Sequence, residues 1–249
     1  MDIKKVCLIG PDTVGNFIEQ NCKKVNIEIN RVDIKGDLEE LKNVDLLIDQ
    51  FFGEINVKKR ILEKVEGVVF EKTILAINPL FLSLTQIASH TQRRDKVIGL
   101  LPPFYSAINN FVEIVMGVET SEDTYQSLKK FLEKIDISYI KSRDSAGFVL
   151  NRVLASMINE ATYMHMYGLA TVEGIDQMMK LGANFPLGPF EYADEIGLDN
   201  ILNLLKLLRE ELGPKYRACP LLVRKVEAGH LGKKSGRGFY EYKTKDANL

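Results

Sequence analysis

The sequence predicts an α/β fold in which a parallel-sheet domain is followed by an all-helical domain. Over residues 1–143, short apolar runs alternate with amphipathic stretches, a pattern typical of parallel strands that are joined by helices. From Val149 onward, one helical pattern follows another. We therefore predict two domains, residues 1–143 and 144–249, that meet near residues 143–146 without a Pro-, Gly- or Ser-rich linker.

The first predicted strand is the apolar run Lys5–Ile9, which ends at Gly10 and precedes an amphipathic stretch with helical spacing. Three further predicted strands each end beside a polar residue. They are Glu28–Val32 before Asp33, Val44–Ile48 before Asp49, and Thr73–Ile77 before Asn78. Ligands of such sheets bind at the carboxyl ends of the strands, so we expect these polar residues and Gly10 to face one crevice.

The rest of the chain carries three more predicted strands and at least three helices. The strands are Val97–Leu101, Phe111–Met116 and Ser138–Ile140, and the helices are Glu122–Lys134, Asn151–Tyr167 and Asn200–Leu212. The last two helices have apolar residues at intervals of three and four, which is typical of helices packed on a core. We expect Thr244–Leu249 to be a frayed tail.

Composition excludes several classes of function. The chain has 33 basic and 34 acidic side chains, for a net charge of -1, so no overall field attracts nucleic acid or a membrane surface. The sequence contains neither a signal peptide nor an apolar stretch of about 20 residues that would span a membrane. Its three cysteines lack the spacing of a zinc site or a disulfide framework. These features predict a cytoplasmic protein without a metal site.

The segment from Gly10 to Gly15 predicts a nucleotide-binding turn of the Rossmann type. It has the outer glycines of the G-x-G-x-x-G pattern, between a strand and a helix, but its middle position is Asp12. Asp33 lies 23 positions after Gly10, the interval expected for the acid that holds the adenine ribose. Two interpretations remain open: NAD binds here, or Asp12 caps the helix in place of a phosphate and the glycines only make a tight connection.

Several motifs, taken in order, resemble those of the NAD-dependent 3-hydroxyacyl-CoA dehydrogenases, particularly the short bacterial 3-hydroxybutyryl-CoA dehydrogenases. The resemblance covers nearly the whole chain. The matching segments are Val6–Gly10, Asp95–Gly99, Phe111–Val115, Gly147–Arg152, Leu181–Asn184, Pro186–Pro189 and Leu231–Tyr240. The resemblance implies an N-terminal Rossmann-like domain, a helical C-terminal domain that pairs two copies of the chain, NAD as cofactor and an acyl-CoA-type substrate.

The resemblance also implies which residues form the catalytic site. In that family a histidine paired with a glutamate removes the hydroxyl proton, while a serine and an asparagine hold the substrate oxygen. The glutamate falls on Glu113 and the asparagine on Asn151, but the histidine falls on Leu101 and the serine on Leu80. A further asparagine near the nicotinamide falls on Phe104. Leucine has no donor or acceptor, so it performs no acid–base catalysis.

Other positions bear on cofactor and substrate binding. The resemblance places a cofactor-contacting glutamate on Gly53, beside Glu54, and a lysine on Lys58. Only about fifteen residues join Asp33 to Asp49, where the family usually carries a helical hairpin that covers CoA. The N-terminal domain is therefore expected to be shortened and degenerate, with Gly10, Gly15, Asp33 and Lys58 as its candidate cofactor residues.

Simpler roles are possible for the same residues. Glu113 could be an ordinary exposed strand residue, and Asn151 could cap the helix that follows Gly147. Tyr105 is a poor base near neutrality because the pKa of a tyrosine is about 10. The three histidines are expected at the surface or in packing roles, and they are His90, His165 and His230. The motif from Gly232 to Tyr240 is expected to be structural.

Three functions follow from these observations. The first is a 3-hydroxyacyl-CoA dehydrogenase homologue of acyl-CoA metabolism whose usual dehydrogenase activity is impaired, because Leu101 and Leu80 replace catalytic residues. The second is an active NAD-dependent oxidoreductase that uses a different base on a related substrate. The third is a non-catalytic, dimeric interaction subunit. Cofactor binding and turnover distinguish the three hypotheses, whereas a homodimer is compatible with all of them.

Overall fold

A computed structural model of the chain describes residues 1–10, 15–36, 38–51, 53, 55–103 and 110–242. The contacts between Cα atoms divide the chain into two compact units, Met1–Phe148 and Val149–Leu249. The first unit is built around a sheet, and the second is helical. The predicted fold class is therefore confirmed.

The sheet of the first unit has seven strands among the described residues, in the order β2-β1-β3-β4-β5-β6-β7. The strands are β1 (Lys5–Ile9), β2 (Glu28–Val32), β3 (Leu46–Asp49), β4 (Ile74–Ile77), β5 (Val97–Leu101), β6 (Phe111–Met116) and β7 (Ser138–Arg143). Four of them coincide with the predicted ranges. Strand β3 begins two residues later than predicted and includes Asp49, and β7 runs three residues further, to Arg143.

One strand departs from the predicted parallel arrangement. Strand β6 is antiparallel to β5, whereas every other neighbouring pair is parallel. A parallel connection needs a crossover of a dozen or more residues, but only residues 102–110 join β5 to β6. The short connection therefore reverses the chain direction, and it brings the end of β5 directly beside β6.

The sheet is covered on both faces, as its apolar strands require. Helices α1 (Gly15–Lys24), α2 (Ile55–Glu66), α3 (Leu84–Ala88) and α4 (Glu122–Lys134) follow the strands. One buried cluster joins β-strand residues such as Leu8 and Ile114 to Leu128 of α4. The other joins the alternate strand residues, including Ile77 and Leu101, to the residues of α2 and α3. The two-residue period of the strands thus decides which helices each side chain meets.

Two caps fix helix positions in the first unit. Helix α4 begins where predicted because Ser121 accepts a hydrogen bond from the Thr124 amide, with Glu122 and Asp123 in its first turn. The Asp144 carboxylate accepts hydrogen bonds from the amides of Leu84 and Thr85, at 3.1 and 2.7 Å. A distant acid therefore adds to the local cap of the short helix α3, in which Ser83 accepts from the Gln86 amide, and the sequence pattern did not predict this helix.

The second unit contains five α-helices among the described residues, namely α5 (Leu150–Met166), α6 (Val172–Gly182), α7 (Pro189–Ile196), α8 (Leu198–Leu212) and α9 (Pro220–Glu227). His165 packs against the edge of Phe190, with Nδ1 3.2 Å from the carbonyl oxygen of Ala170. The predicted packing role of this histidine is therefore confirmed. No described helix has the length and apolarity needed to cross a membrane.

The C-terminal glycine motif is held by one buried carboxylate. Asp194 accepts hydrogen bonds from the amides of Phe239 and Tyr240, at 2.8 and 2.9 Å, and from the Tyr242 hydroxyl at 2.9 Å. A Cβ atom added to Gly238 would overlap that carboxylate. The motif therefore packs against α7, and the predicted structural role of the glycines is confirmed.

Candidate functional site

The carboxyl ends of four neighbouring strands form the candidate cofactor site. Gly10 follows β1, Asp33 follows β2, Asp49 ends β3 and Asn78 follows β4. Because these strands are adjacent and parallel, the four residues lie along one edge of the sheet, as predicted. Backbone hydrogen bonds continue the pairing past the strands, from Gln50 N to Ile9 O and from Asn78 N to Asp49 O.

A cavity of about 530 Å³ opens at this edge, and its lining includes Gly10, Asp33 and Phe51. The size is that of a small-molecule site. Asp33 is exposed, and its Oδ1 accepts a hydrogen bond from the Lys35 amide at 2.9 Å, which fixes the carboxylate beside the cavity. An acid in this position suits the hydroxyls of an adenine ribose.

Gly10 permits close packing at the bottom of the crevice. Its φ is +104°, and an added Cβ would lie 2.9 Å from both the amide nitrogen and Cδ2 of Phe51. Any larger residue would therefore push the segment after β3 away from β1. Gly15 is the first residue of α1. Asp12 and the rest of the turn lie outside the described residues, so the two interpretations of Asp12 stay predictions.

Lys58 is part of an interior ion pair. Its Nζ lies 2.6 Å from Asp49 Oδ2, and both side chains have 0% exposure. The same ammonium donates to the Phe51 carbonyl at 2.5 Å, while Asp49 Oδ1 accepts from the Phe51 amide at 2.9 Å. Burial raises the pKa of Asp49, and the adjacent Lys58 ammonium opposes that rise. A contact between Lys58 and a cofactor stays a prediction.

Leu101 and Glu113 occupy opposite positions in the antiparallel pair of β5 and β6. Residues that face each other in this way have Cβ atoms about 4.5–5.5 Å apart. Leu101 is 4% exposed and Glu113 is 2% exposed, so the alternative that Glu113 is an exposed strand residue is wrong. The position assigned to the catalytic histidine therefore holds a hydrocarbon side chain beside a buried carboxyl group.

Leu80 follows β4 in an unusual backbone conformation. Its φ is +57°, in the left-handed region, and its amide donates to Asn78 Oδ1 at 3.0 Å. Such a conformation is uncommon for residues other than glycine and often marks a functional position. The backbone after β4 is thus held in a specific conformation, although the Leu80 side chain has no polar group.

Asn151 lies in the second unit, in the first turn of α5, and is 4% exposed. The helix begins at Leu150, and Val149 occupies the capping position. The alternative that Asn151 caps this helix is therefore wrong. The predicted role of Asn151 in holding a substrate oxygen stays a prediction.

Comparison with known proteins decides the family. Residues 13–145 match the 3-hydroxyacyl-CoA dehydrogenase NAD binding domain, and residues 147–242 match the C-terminal domain of the same family. The chain belongs to the 3-hydroxyacyl-CoA dehydrogenase family. The resemblance recognised from the sequence motifs is therefore confirmed, and the first unit is an NAD-binding domain of the Rossmann type.

Individual members of the 3-hydroxyacyl-CoA dehydrogenase family are similar along most of the chain. A probable 3-hydroxybutyryl-CoA dehydrogenase of Bacillus subtilis is 42% identical over 232 residues, which are 93% of this chain and 80% of that protein. The 3-hydroxybutyryl-CoA dehydrogenase of Clostridioides difficile is 40% identical over 86% of this chain and 76% of that protein. The crystal structure of (S)-3-hydroxybutyryl-CoA dehydrogenase PaaH1 from Ralstonia eutropha superimposes with a TM-score of 0.90 at 33% identity, covering 98% of this chain and 100% of that chain.

Sequence analysis of this 3-hydroxyacyl-CoA dehydrogenase homologue missed the ion pair between Asp49 and Lys58. Both residues were singled out, but separately, Asp49 as a residue facing the crevice and Lys58 as a candidate cofactor residue. The only sequence signal is an acid at the end of an apolar strand and a lysine on the inner face of the next helix. Because the two residues lie nine positions apart in different elements, their contact depends on how α2 packs against the sheet.

Proposed function

We propose that this chain is a 3-hydroxyacyl-CoA dehydrogenase homologue of acyl-CoA metabolism that binds NAD and an acyl-CoA-type ligand but has impaired dehydrogenase activity. The observation that carries the proposal is the pairing of Leu101 with Glu113 across β5 and β6. General acid–base catalysis contributes about 10²–10⁴ to a rate, and a leucine cannot supply it. Leu80 stands where the resemblance implies a serine, so a second polar side chain of the catalytic site is missing.

The residues at the carboxyl ends of the strands support the proposal that cofactor binding is retained. Bound NAD would supply a hydride acceptor or donor. Of the chain's own residues, Asp33 would hold the ribose, and Gly10 would permit the tight turn that leads from β1 toward the cofactor. The cavity beside them has about 530 Å³, which fits the adenosine end of a dinucleotide. Gly10 and Asp33 therefore fit NAD. The loss of polar groups at Leu101 and Leu80, which we propose, affects the dehydrogenase reaction.

The experiment that tests this function measures binding and turnover together. We expect calorimetry to detect NADH binding, and we expect reduction of acetoacetyl-CoA to be at least about 100-fold slower than usual enzyme rates. Replacement of Asp33 by alanine should weaken NADH binding about tenfold, because a hydrogen bond to a charged group is lost. The matched control is Asp95→Ala, an exposed acid elsewhere in the same unit. Turnover at usual enzyme rates would contradict the proposal, and an absence of NADH binding would favour the interaction-subunit alternative.

The cysteines support the cytoplasmic setting that we propose. All three are buried and unbonded to one another. Burial raises the pKa of the Cys7 and Cys22 thiols to about 12, so both remain protonated near neutrality and act as small core residues. A chain that uses cysteine in this way suits a reducing compartment.

We also infer a homodimer formed through the second unit. Exposed apolar side chains occur on α5 and α6, namely Val153 at 61%, Met178 at 69% and Leu181 at 86% exposure. Large exposed apolar side chains on neighbouring helices suit an interface. Sedimentation analysis should therefore show a dimer, and Val153→Asp combined with Leu181→Asp should shift it to a monomer. The exposed α8 substitution Asn203→Asp is the control and should remain dimeric, and a wild-type monomer would refute the inference.

A further inference from the structure

A second cavity lies entirely within the helical unit, between α8 and the segment that leads into α9. Its volume is about 400 Å³, within the range of small-molecule sites. Residues from both helices and from the connection between them line it. None of these residues belongs to the edge of the sheet or to the Leu101–Glu113 pair.

Four basic residues surround this cavity, and they are Lys206, Arg209, Arg217 and Arg224. All four are exposed, and none of them forms an ion pair within 4.0 Å among the residues that the structure describes. In contrast, Lys180, Lys233 and Lys234 of the same unit are each paired with an acid. The charge around this cavity is therefore available to a ligand.

Only one acid, Glu227, lines the same cavity. It is the last residue of α9, whereas Pro220, at the first position of that helix, lines the cavity as well. Seven helical steps of 1.5 Å separate the two ends by about 10 Å. The end of the cavity near Pro220 therefore lies at the positive end of a helix, about 10 Å along that helix from the acid.

Part of the cavity surface is apolar and accessible. Ala218 and Val223 are half-buried and Pro220 is exposed, and all three line the cavity, with the buried Leu202 and Leu205 behind them. A simple inorganic anion would leave this surface in contact with water. A ligand with an apolar body and an anionic end would cover Ala218, Pro220 and Val223 and place its charge among the arginines, whose planar donors suit phosphate oxygens.

We propose that the cavity between α8 and α9 binds an organic phosphate monoester, with its apolar body on Ala218, Pro220 and Val223 and its phosphate among Arg209, Arg217 and Arg224. The site is separate from the cofactor cavity beside Asp33. Each part of the ligand corresponds to one part of the lining, so the phosphate and the apolar body contribute separately to affinity.

Phenyl phosphate is a suitable probe because it has both parts and lacks the adenine that the dinucleotide site would recognise. We expect calorimetry with the full chain to show saturable binding at least tenfold tighter than that of inorganic phosphate. Raising the salt from about 20 mM to about 200 mM should weaken binding severalfold, because exposed charges are screened. Equal affinities for the two probes, or no binding of phenyl phosphate at about 10 mM, would overturn the proposal.

Variants locate the site. Arg209→Glu combined with Arg224→Glu should weaken phenyl phosphate binding at least tenfold, and both positions are exposed, so the fold should be retained. The control is Arg60→Glu with Lys130→Glu, which makes the same change in net charge at exposed positions of the first unit and should leave affinity within about twofold. If Asp33→Ala removes the signal while the arginine pair does not, the probe occupies the dinucleotide cavity and the proposal is wrong.

Discussion

Replacement of Leu101 by histidine and Leu80 by serine is expected to raise the rate of acetoacetyl-CoA reduction by NADH about 10²–10⁴-fold over the unmodified chain. The magnitude is that of general acid–base catalysis. Leu101 stands opposite Glu113 in the β5–β6 pair, so an imidazole introduced there would have a carboxylate within reach to orient it. The serine would restore a hydroxyl where the chain already has a left-handed backbone conformation.

Controls separate restored chemistry from a general change in the site. Leu101→Asn with Leu80→Ser introduces polarity without a base and should gain far less activity than the histidine variant. Addition of Glu113→Gln to the histidine variant should reverse most of the gain, because the ring loses the charge that orients it and stabilises its protonated form. A histidine variant that binds NADH, folds as the unmodified chain does and gains no activity would show that these two positions do not explain the impairment.

Replacement of Lys58 by methionine is expected to lower the free energy of unfolding by about 3–5 kcal/mol, the cost of leaving one member of a buried ion pair without the other. Both side chains of the Asp49–Lys58 pair have 0% exposure, so water cannot compensate for the lost ammonium. Urea unfolding at pH 7 measures the effect. Lys59→Met is the control on the same helix, because Lys59 is exposed and its Nζ lies 3.9 Å from Glu63, and its effect should be near zero.

The pH dependence of this variant provides a second check. Burial already raises the pKa of Asp49 above 3.8, and removal of the ammonium should raise it further. A carboxyl group with a raised pKa in the folded state binds its proton more tightly there, so stability falls as pH rises. The deficit of the variant should thus be large at pH 7 and shrink toward pH 4. Asp49→Asn added to Lys58→Met should recover much of the loss, and a pH-independent deficit would contradict this account.

Much of the fold was predictable because its signals are local. Strands β1, β2, β5 and β6 and helix α4 have the predicted ranges, since apolar runs and the Ser121 cap define them directly. The reversed direction of β6 was not predicted but could have been, because the connection from β5 is too short for a crossover. The cap that Asp144 gives to α3 was not predictable, since it joins residues 60 positions apart.

The candidate site was predictable only in part, for the same physical reason. Residue types and spacing placed Gly10 and Asp33 at strand ends, which the backbone arrangement determines, and the family resemblance singled out Glu113 within β6. The partners of side chains depend on packing, so the ion pair of Lys58 and the positive φ of Leu80 had no clear local signal. The two simpler roles considered for Glu113 and Asn151 were wrong because burial and the helix start depend on neighbouring elements.

The hydrogen bonds around Phe51 have a consequence for ligand recognition. Asp49 accepts from its amide and Lys58 donates to its carbonyl, so the backbone of Phe51, a residue that lines the cavity proposed for the dinucleotide, is anchored to the protein interior before any ligand arrives. A preorganised wall loses little conformational entropy when it is contacted. Affinity for adenine-containing compounds should consequently depend on the shape of the ligand rather than on adaptation of the protein.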